Sequence, residues 1–112
     1  MYKRQALALF NVICQVDKIG SEIEKEITIE AEDVEELMVN WLQELIARSE
    51  IEELFFSKPE IIEINETRLR AKVYGEPAKP EKGETVVKAV TYYGFLFEKT
   101  DEGYKVRVSL DI

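Results

Sequence analysis

Two stretches of the chain carry apolar residues at the spacing of a helix. The first face contains Ala6, Leu9, Phe10, Ile13 and Cys14, with Leu7 beside it. The second face is wider and contains Val34, Leu37, Met38, Trp41, Leu42, Leu45 and Ile46. We therefore predict helices over residues 6–16 and 33–48, and we expect the second helix, with its larger stripe, to face the core.

The start of the second helix has its own local signal. Asp33 precedes the apolar stripe, and its carboxylate can accept hydrogen bonds from the free amides of the first turn. Glu36 stands three residues later, at the reciprocal position, so Asp-x-x-Glu resembles a capping box. The sequence therefore predicts that this helix begins at Asp33.

Several segments have the alternation or composition of strands. Residues 24–30 alternate polar and apolar side chains in the later part of the run, as a half-buried strand does. Residues 51–57 contain the apolar run Leu54-Phe55-Phe56, and Pro59 separates them from the mostly apolar residues 61–64, which predicts two short strands or one strand with a break. Residues 68–75 alternate again, which predicts a strand with one buried face.

The C-terminal third predicts a hairpin after a loop over residues 75–84 that contains prolines and glycines. Residues 86–98 are dense in β-branched and aromatic side chains, and the Asp-Glu-Gly sequence at 101–103 is typical of a turn. The last strand, residues 104–110, has an apolar series that should be buried: Tyr104, Val106, Val108 and Leu110.

The order of these elements predicts the fold class. Two helices and at least five strands follow the order α, β, α and then mostly β, without an internal repeat. We expect a single α+β domain in which both helices lie on one face of a largely antiparallel sheet. A chain of 112 residues and 13.0 kDa, with 46% apolar residues, is long enough to bury one core without disulfides.

Composition narrows the location of the protein. No apolar run approaches the ~20 residues that span a bilayer, and no secretory signal pattern is visible. The lone cysteine, Cys14, cannot form an internal disulfide, so the chain does not require an oxidising compartment. These features favour a cytoplasmic protein without a membrane partner.

Charge and residue types exclude several functions. Fifteen basic against 23 acidic residues give a net charge of -8, which disfavours direct binding of nucleic acid. The basic residues Arg68, Arg70 and Lys72 alternate along a predicted strand, which is typical of its solvated face. The absence of histidine removes Ser-His and Cys-His nucleophiles and the commonest zinc ligand. A metal would have to be a hard ion bound by oxygen.

The first five residues differ from the acidic chain that follows. The codons GTG TAT AAG AGA CAG, read from a GTG start, encode Met-Tyr-Lys-Arg-Gln, and this DNA is the end sequence of transposase-based sequencing libraries. No Ser, Thr, Asp or Asn precedes Ala6 to cap the first helix, so its apolar pattern begins without a recognisable helix start. We therefore expect residues 1–5 to be adapter-derived and the native domain to occupy residues 6–112, with 13 basic and 23 acidic residues.

Two carboxylates at the C-terminus are the first candidate site. The side chain of Asp111 and the α-carboxylate of Ile112 supply hard oxygen donors close together, which suits Ca²⁺ or Mg²⁺. Two carboxylates are too few for a tight site, and Asp111 can equally end the last strand in water.

Lys88 and Glu76 are two further candidates. Lys88 lies in an apolar strand sequence and should point outward with Val86 and Val90 if Val87 and Ala89 point inward; most such lysines only aid solubility. Glu76 follows Gly75 at a strand end, where it can orient a basic partner or a metal, or simply form a turn with a solvated charge.

The segments together resemble the archease family. The resemblance rests on Ala6-Leu7-Ala8-Leu9-Phe10, Asp33-Val34-Glu35-Glu36-Leu37, Trp41-Leu42-Gln43-Glu44-Leu45, Phe56-Ser57-Lys58, Gly75-Glu76, Val87-Lys88-Ala89-Val90-Thr91-Tyr92 and Leu110-Asp111-Ile112. The match extends in order over nearly all of residues 6–112, and the lysine-containing strand and the Leu-Asp-Ile end are its most specific parts.

This resemblance implies a small α+β protein that assists the RtcB-type RNA ligase, the GTP-dependent enzyme that seals split tRNAs. Family members are helpers and not ligases: they promote formation of the ligase-guanylate intermediate and permit multiple turnovers. They also carry a divalent ion, calcium, on acidic residues. By resemblance, Asp111 and Ile112 match metal ligands, Lys88 matches a strand lysine important for activation, and Glu76 is a further activation candidate.

The sequence departs from the family pattern at three places. The N-terminal His-Thr-Ala-Asp strand, which supplies another metal ligand, is absent, so we expect a truncated member with an incomplete metal site. Tyr93 stands where the family commonly has histidine, and Asn40 stands where an aspartate often precedes the tryptophan. The loss of a strand also predicts an open sheet edge and a tendency to self-associate.

Two other function classes remain open from the residues alone. A general chaperone or protein-binding module would use exposed aromatic side chains, for which Phe55, Phe56, Tyr92 and Tyr93 are candidates, although these residues also suit a core or a sheet face. A metal-dependent hydrolase would rest only on clustered carboxylates, without a histidine base.

Overall fold

The computed structural model describes the backbone of residues 1–112 and every side chain except that of Tyr92. Over these described residues the chain forms α1 (Tyr2–Ile13), β1 (Ile23–Glu30), α2 (Val34–Ile51), β2 (Leu54–Ile64), β3 (Arg68–Pro77), β4 (Ala89–Thr100) and β5 (Gly103–Asp111). Single 3₁₀ turns lie at Val16–Lys18 and Pro80–Lys82. The predicted α+β class is confirmed.

All of the strand pairs are antiparallel, but they form two sheets. β3 lies between β1 and β2 in a three-stranded sheet, and β4 pairs with β5 in a separate two-stranded sheet. The chain does not return to the first sheet after β3; the start of β4 instead contacts α2, where the Val90 amide donates a hydrogen bond to the Gln43 side-chain oxygen. The sequence pattern predicted strand types but not this division.

The core lies between the two helices and the inner face of the three-stranded sheet. Its fully buried side chains include Phe10 of α1, Leu37, Trp41, Leu42 and Leu45 of α2, Phe56 of β2, and Leu69 and Val73 of β3. Phe10 and Phe56 pack with ring centroids 5.7 Å apart. The apolar stripe predicted for the second helix is therefore the core-facing stripe.

The outer face of the three-stranded sheet is charged, as the alternation predicted. Arg70 lies 3.9 Å from Glu26 and 3.8 Å from Glu63, and Lys72 lies 3.5 Å from Glu24. These cross-strand pairs are partly exposed, so each contributes little to the free energy of unfolding. They occupy the basic side chains that would otherwise form a basic patch.

The two helices differ in how well local sequence sets their ends. The Asp33 carboxylate accepts a hydrogen bond from the Glu36 amide at 2.8 Å, which confirms the predicted start of α2. α1 instead ends at Ile13, and the predicted extension to residue 16 is wrong. Cys14 takes an extended conformation because it bridges to Gly83, a contact that local periodicity does not reveal.

β2 is one continuous strand with Pro59 inside it, which decides between the two alternatives left open by the sequence. Pro59 is buried and lies opposite Val73, with shifts of register on either side of it. β2 is an edge strand of the sheet. An edge strand tolerates proline, because only one of its sides needs amide donors for pairing.

The predicted hairpin is confirmed, with a later start and weaker burial than the pattern indicated. β4 begins at Ala89 and not at Val86, and Thr100 pairs with Gly103 across the turn. Tyr104 is 48% exposed, so its predicted burial is wrong. Its ring instead packs on the ring of Phe97 within the hairpin, with the two centroids 5.3 Å apart.

Among the helices that the structure describes, none has the length and apolar character of a membrane-crossing segment.

Candidate functional site

Lys88 and Asp111, which were selected separately from the sequence, are direct neighbours in the structure. The Lys88 amide donates a hydrogen bond to the Asp111 carbonyl at 2.7 Å, one residue before Ala89 pairs with Asp111. Both side chains are exposed, and Ile112 follows with 69% exposure. We call Lys88, Asp111 and Ile112 the terminal site.

A bulge in β4 creates this neighbourhood. Thr91 pairs with Ser109 but Leu96 pairs with Arg107, so residues 92–95 bulge out opposite a single residue of β5. The register set at the turn would otherwise place Asp111 opposite residue 92, three positions along the strand from its observed partner Ala89. Three strand residues correspond to about 10 Å. The bulge therefore brings Asp111 beside Lys88.

Gly94 and Arg107 stabilise this bulge. Gly94 has φ of +67°, a conformation that glycine adopts at little cost, and the Arg107 guanidinium donates from Nε to the Gly94 carbonyl at 2.9 Å. The sequence analysis assigned no role to either residue. A glycine inside a run of β-branched and aromatic residues was the available signal, since such glycines often mark bulges.

The backbone around Lys88 is fixed by burial on both sides of it. Val87 and Val90 are 6% and 7% exposed, and Lys88 between them is exposed. Lys88 and Val86 are exposed and Val87 is buried, as predicted, but the prediction that Val90 points outward is wrong, because Val90 is buried. The prediction assumed strict alternation from residue 86, but residues 86–88 precede β4, which begins at Ala89.

Gln43 is a positioning residue that the sequence analysis missed. Its side-chain oxygen accepts a hydrogen bond from the Val90 amide at 2.9 Å, which ties the start of β4 to α2. The feature of the sequence that could have indicated this role is that Gln43 is a polar residue within the Trp41-Leu45 segment, directly beside the apolar stripe. The terminal site is thus supported by the most deeply buried helix of the fold.

The terminal site offers one ammonium group and two carboxylates to solvent. Among the residues that the structure describes, no ion pair involves Lys88 and no group of three or more His, Cys, Asp or Glu side chains is arranged to hold a metal. Calcium takes six to eight oxygen ligands. The carboxylates of Asp111 and Ile112 therefore do not fit a complete calcium site by themselves.

Glu76 lies in a different environment. It is buried in β3, and its carboxylate accepts a hydrogen bond from the Lys82 ammonium at 2.7 Å and lies 3.8 Å from that of Lys79. Described contacts do not connect it to Lys88 or Asp111. The basic partners that the sequence predicted for Glu76 are thus lysines of the same chain, and the alternative of a solvated turn charge is wrong, because Glu76 continues the strand.

Comparison with known proteins decides the family. The model of the Archease protein family matches residues 1–112, the whole chain. The chain belongs to the archease family.

Curated archease proteins are similar over most of their length. The Methanosarcina mazei protein is 39% identical over 118 residues, covering 100% of this chain and 81% of the relative. The archeases of Sulfolobus acidocaldarius and Pyrococcus abyssi are 37% and 41% identical, with 99% and 91% of this chain and 82% and 75% of the relatives covered. The solution structure of Methanobacterium thermoautotrophicum protein 1598 matches with a TM-score of 0.77 at 29% identity, covering 99% of this chain and 82% of that chain.

The one cysteine of this archease family member is a core residue. Burial raises the pKa of the Cys14 thiol to about 11, and the nearby charges of Glu76 and Glu84 act in the same direction. Its sulfur lies 3.4 Å from the Phe10 carbonyl and 3.7 Å from the Phe56 carbonyl. The raised pKa favours the protonated thiol at neutral pH, and the side chain is buried in the core.

The aromatic residues considered for a chaperone surface are dispersed. Phe56 is buried at 2% exposure, Phe55 is half-buried, and Tyr93 is 87% exposed on the β4 bulge, where its amide donates to Thr91 Oγ1 at 3.1 Å. The side chain of Tyr92 lies outside the described part of the structure. Asn40, the other departure from the family pattern, donates to the Glu30 carbonyl at 3.4 Å.

We expect the buried Glu76 carboxylate to make folding sensitive to acid. The hydrogen bond from Lys82 lowers the pKa of Glu76 from its ordinary value of 4.5, and burial opposes this shift. Because the folded-state pKa is the lower one, the stabilisation is fully present above pH 4.5 and is lost as the pH falls through the folded-state pKa. Urea unfolding of wild type and Glu76→Gln from neutral to acidic pH should show a steeper acid loss in wild type. Glu66→Gln, in the exposed β2–β3 turn, is the control, and parallel wild-type and Glu76→Gln curves would contradict the assignment.

Proposed function

We propose that this archease family member activates an RtcB-type tRNA-splicing RNA ligase in the cytoplasm and promotes its guanylylation and multiple turnover. The observation that carries the proposal is the terminal site, where the bulge places exposed Lys88 beside exposed Asp111. The same residues are the ones that the family resemblance assigns to activation and metal binding.

The arrangement suits a helper that acts through contact with another protein. The three residues of the terminal site include no serine, cysteine or histidine, and Cys14 is buried. The net charge of -8 repels an RNA backbone, so the ligase and not its RNA is the expected contact. An exposed ammonium on a firmly held strand can bind carboxylate or phosphate oxygens in a partner's site.

Lys88 is the proposed activating group. Its backbone is fixed by Asp111 on one side and by the burial of Val87 and Val90 on the other, so its ammonium is presented from a defined position. Glu76 contributes indirectly by ordering the turn over residues 79–82, which leads toward Lys88. We propose that Asp111 and Ile112 supply two of the oxygen ligands of the family's divalent ion, calcium, whose remaining ligands the described residues do not provide.

The experiment measures guanylylation of the purified ligase by labelled GTP with and without this chain. Lys88→Ala should reduce the stimulation at least about tenfold, because a hydrogen bond to a charged group is lost. Lys88→Arg should retain part of it, and Asp111→Asn should reduce it. The matched control is Lys105→Ala, which removes an exposed lysine opposite Glu98, nearer the tip of the same hairpin.

Two outcomes would contradict the proposal at different levels. If the wild-type chain does not stimulate the ligase, the activating function is wrong for this chain. If it stimulates and Lys88→Ala stimulates equally, the function stands and the terminal site does not carry it. Circular dichroism of each variant establishes that a loss of stimulation does not come from unfolding.

A further inference from the structure

An open groove of about 680 Å³ lies beside the core, on the side of the chain that leads into Lys88. It is formed by the end of α2, the start of β2, the end of β3 and residues 78–87. Its apolar lining includes Ile13, Ile46, Phe55, Pro77, Pro80 and Val87. A groove with this lining can bury an apolar side chain of a partner.

The rim of this groove is acidic. Glu50, Glu53 and Glu84 line it and are exposed, and none of them takes part in an ion pair with another described residue. Lys79 also lines the groove, but its ammonium lies 3.8 Å from the Glu76 carboxylate. Three carboxylates thus surround apolar surface while the one cation is already paired. We call this feature the acidic groove.

Glu53 occupies its rim position at a conformational cost. It has φ of +53° and is the one described non-glycine residue with positive φ. It follows Glu52, the last capping residue of α2, at a position where helices commonly use glycine. A glutamate at this position adds backbone strain that glycine would avoid, and it places a carboxylate at the groove.

The walls of the acidic groove are joined before any partner binds. The Ala78 amide donates to the Glu53 carbonyl at 2.8 Å, which connects the end of α2 to the loop after β3. Ser49 also hydrogen-bonds the Leu54 carbonyl across the α2–β2 turn. The groove is therefore largely pre-formed, which reduces the entropic cost of binding.

We propose that the acidic groove binds a segment of a partner protein that presents an apolar side chain flanked by lysine or arginine. The apolar side chain would fill the groove beside Phe55, and the flanking cations would meet Glu53 and Glu84. This inference does not depend on the ligase-activating function, because it concerns a different surface and its test measures binding alone.

The test titrates isotope-labelled protein with a synthetic peptide, acetyl-Gly-Lys-Arg-Leu-Lys-Arg-Gly-amide, and follows backbone amide signals by NMR. We expect saturable shifts at amides around the groove, with a dissociation constant that weakens as salt concentration rises. Two matched peptides, one with serine for leucine and one with glutamate for every basic residue, should bind at least about fivefold more weakly.

Glu53→Gly separates binding from stability. The variant should raise the temperature of unfolding, because glycine tolerates the positive φ. It should also lower the affinity for the peptide about fivefold, because a rim carboxylate is lost. A purely structural role for Glu53 would not move the two measurements in opposite directions. Glu84→Gln should weaken binding similarly, and Glu66→Gln, far along the chain in an exposed turn, should not.

Three results would overturn the proposal. These are the absence of saturable shifts at the groove, equal binding of the matched peptides, and groove shifts that depend on protein concentration without peptide, which would identify a second copy as the occupant. Lys105→Ala, which removes an exposed lysine nearer the tip of the hairpin, should leave the peptide dissociation constant unchanged. The peptide titration does not involve the ligase, so the groove and the terminal site can fail independently of each other.

Discussion

Gly75→Ala is expected to destabilise the domain by about 3 kcal/mol, because backbone and not side chain occupies the space that a methyl group needs. A Cβ at Gly75 would contact the Phe55 carbonyl oxygen, lie 2.9 Å from the Phe55 carbonyl carbon and lie 3.0 Å from the Phe56 Cα. β2 cannot move away without breaking its pairing with β3, where Gly75 lies opposite Phe56. Urea unfolding followed by circular dichroism measures the loss.

Gly83→Ala is the matched control for Gly75→Ala. A Cβ there would lie 3.3 Å from Phe55 Cζ, the far end of a side chain, and 3.5 Å from the Pro80 carbonyl oxygen. We expect an effect below about 1 kcal/mol, since the ring can shift slightly. Equal unfolding midpoints for wild type and Gly75→Ala would show that β2 and β3 do not approach as closely as the structure indicates.

The sequence pattern predicts that Gly75 ends a strand, but in the structure Gly75 lies inside β3. β3 continues to Pro77, so Gly75 is an interior position where two backbones approach. Local pattern cannot distinguish these two uses of glycine, because the second depends on a neighbouring strand. The same limitation explains the wrong end of α1, where the contact of Cys14 with distant Gly83 stops the helix.

Features set by neighbouring residues were predictable, and features set by distant ones were not. α2 was predicted well because its apolar stripe and its Asp33 cap are both local. The continuity of β2 through Pro59 depends on its place at the sheet edge, which only the topology reveals. The contact of Gln43 with the start of β4 joins residues far apart in the chain, so no local pattern reveals where β4 packs.

In the candidate site, too, the individual residues were predictable and their contact was not. Lys88 and Asp111 were each selected from the sequence, but nothing there predicted that they meet. A hairpin of regular register would have separated them, and the bulge at residues 92–95 shifts the register by three positions. The site therefore exists because of the bulge in β4. Gly94, which has a positive φ inside this bulge, is the residue in the sequence that indicates it.

Trp41→Ala is expected to lower the free energy of unfolding by about 3–5 kcal/mol, the range for removing a large aromatic side chain from a core. Trp41 has no exposed surface, and its indole Nε1 donates a hydrogen bond to the Tyr2 carbonyl at 3.0 Å. The substitution therefore leaves a cavity and removes a connection between α1 and α2. Circular dichroism is the measurement, because Trp41 is the one tryptophan available for fluorescence.

Trp41→Phe separates the two contributions, since it keeps most of the apolar volume and removes the hydrogen bond. We expect a loss of about 1–2 kcal/mol for it, and less than about 0.5 kcal/mol for Ile51→Ala, because Ile51 is 80% exposed on the same helix. The order Trp41→Ala, Trp41→Phe, Ile51→Ala in decreasing effect follows from the buried volume and the hydrogen bond that each substitution removes. If Trp41→Ala lowers the free energy of unfolding no more than Ile51→Ala does, then α2 does not pack against the core in solution. In that case Gln43 of α2 does not hold the terminal site in place either.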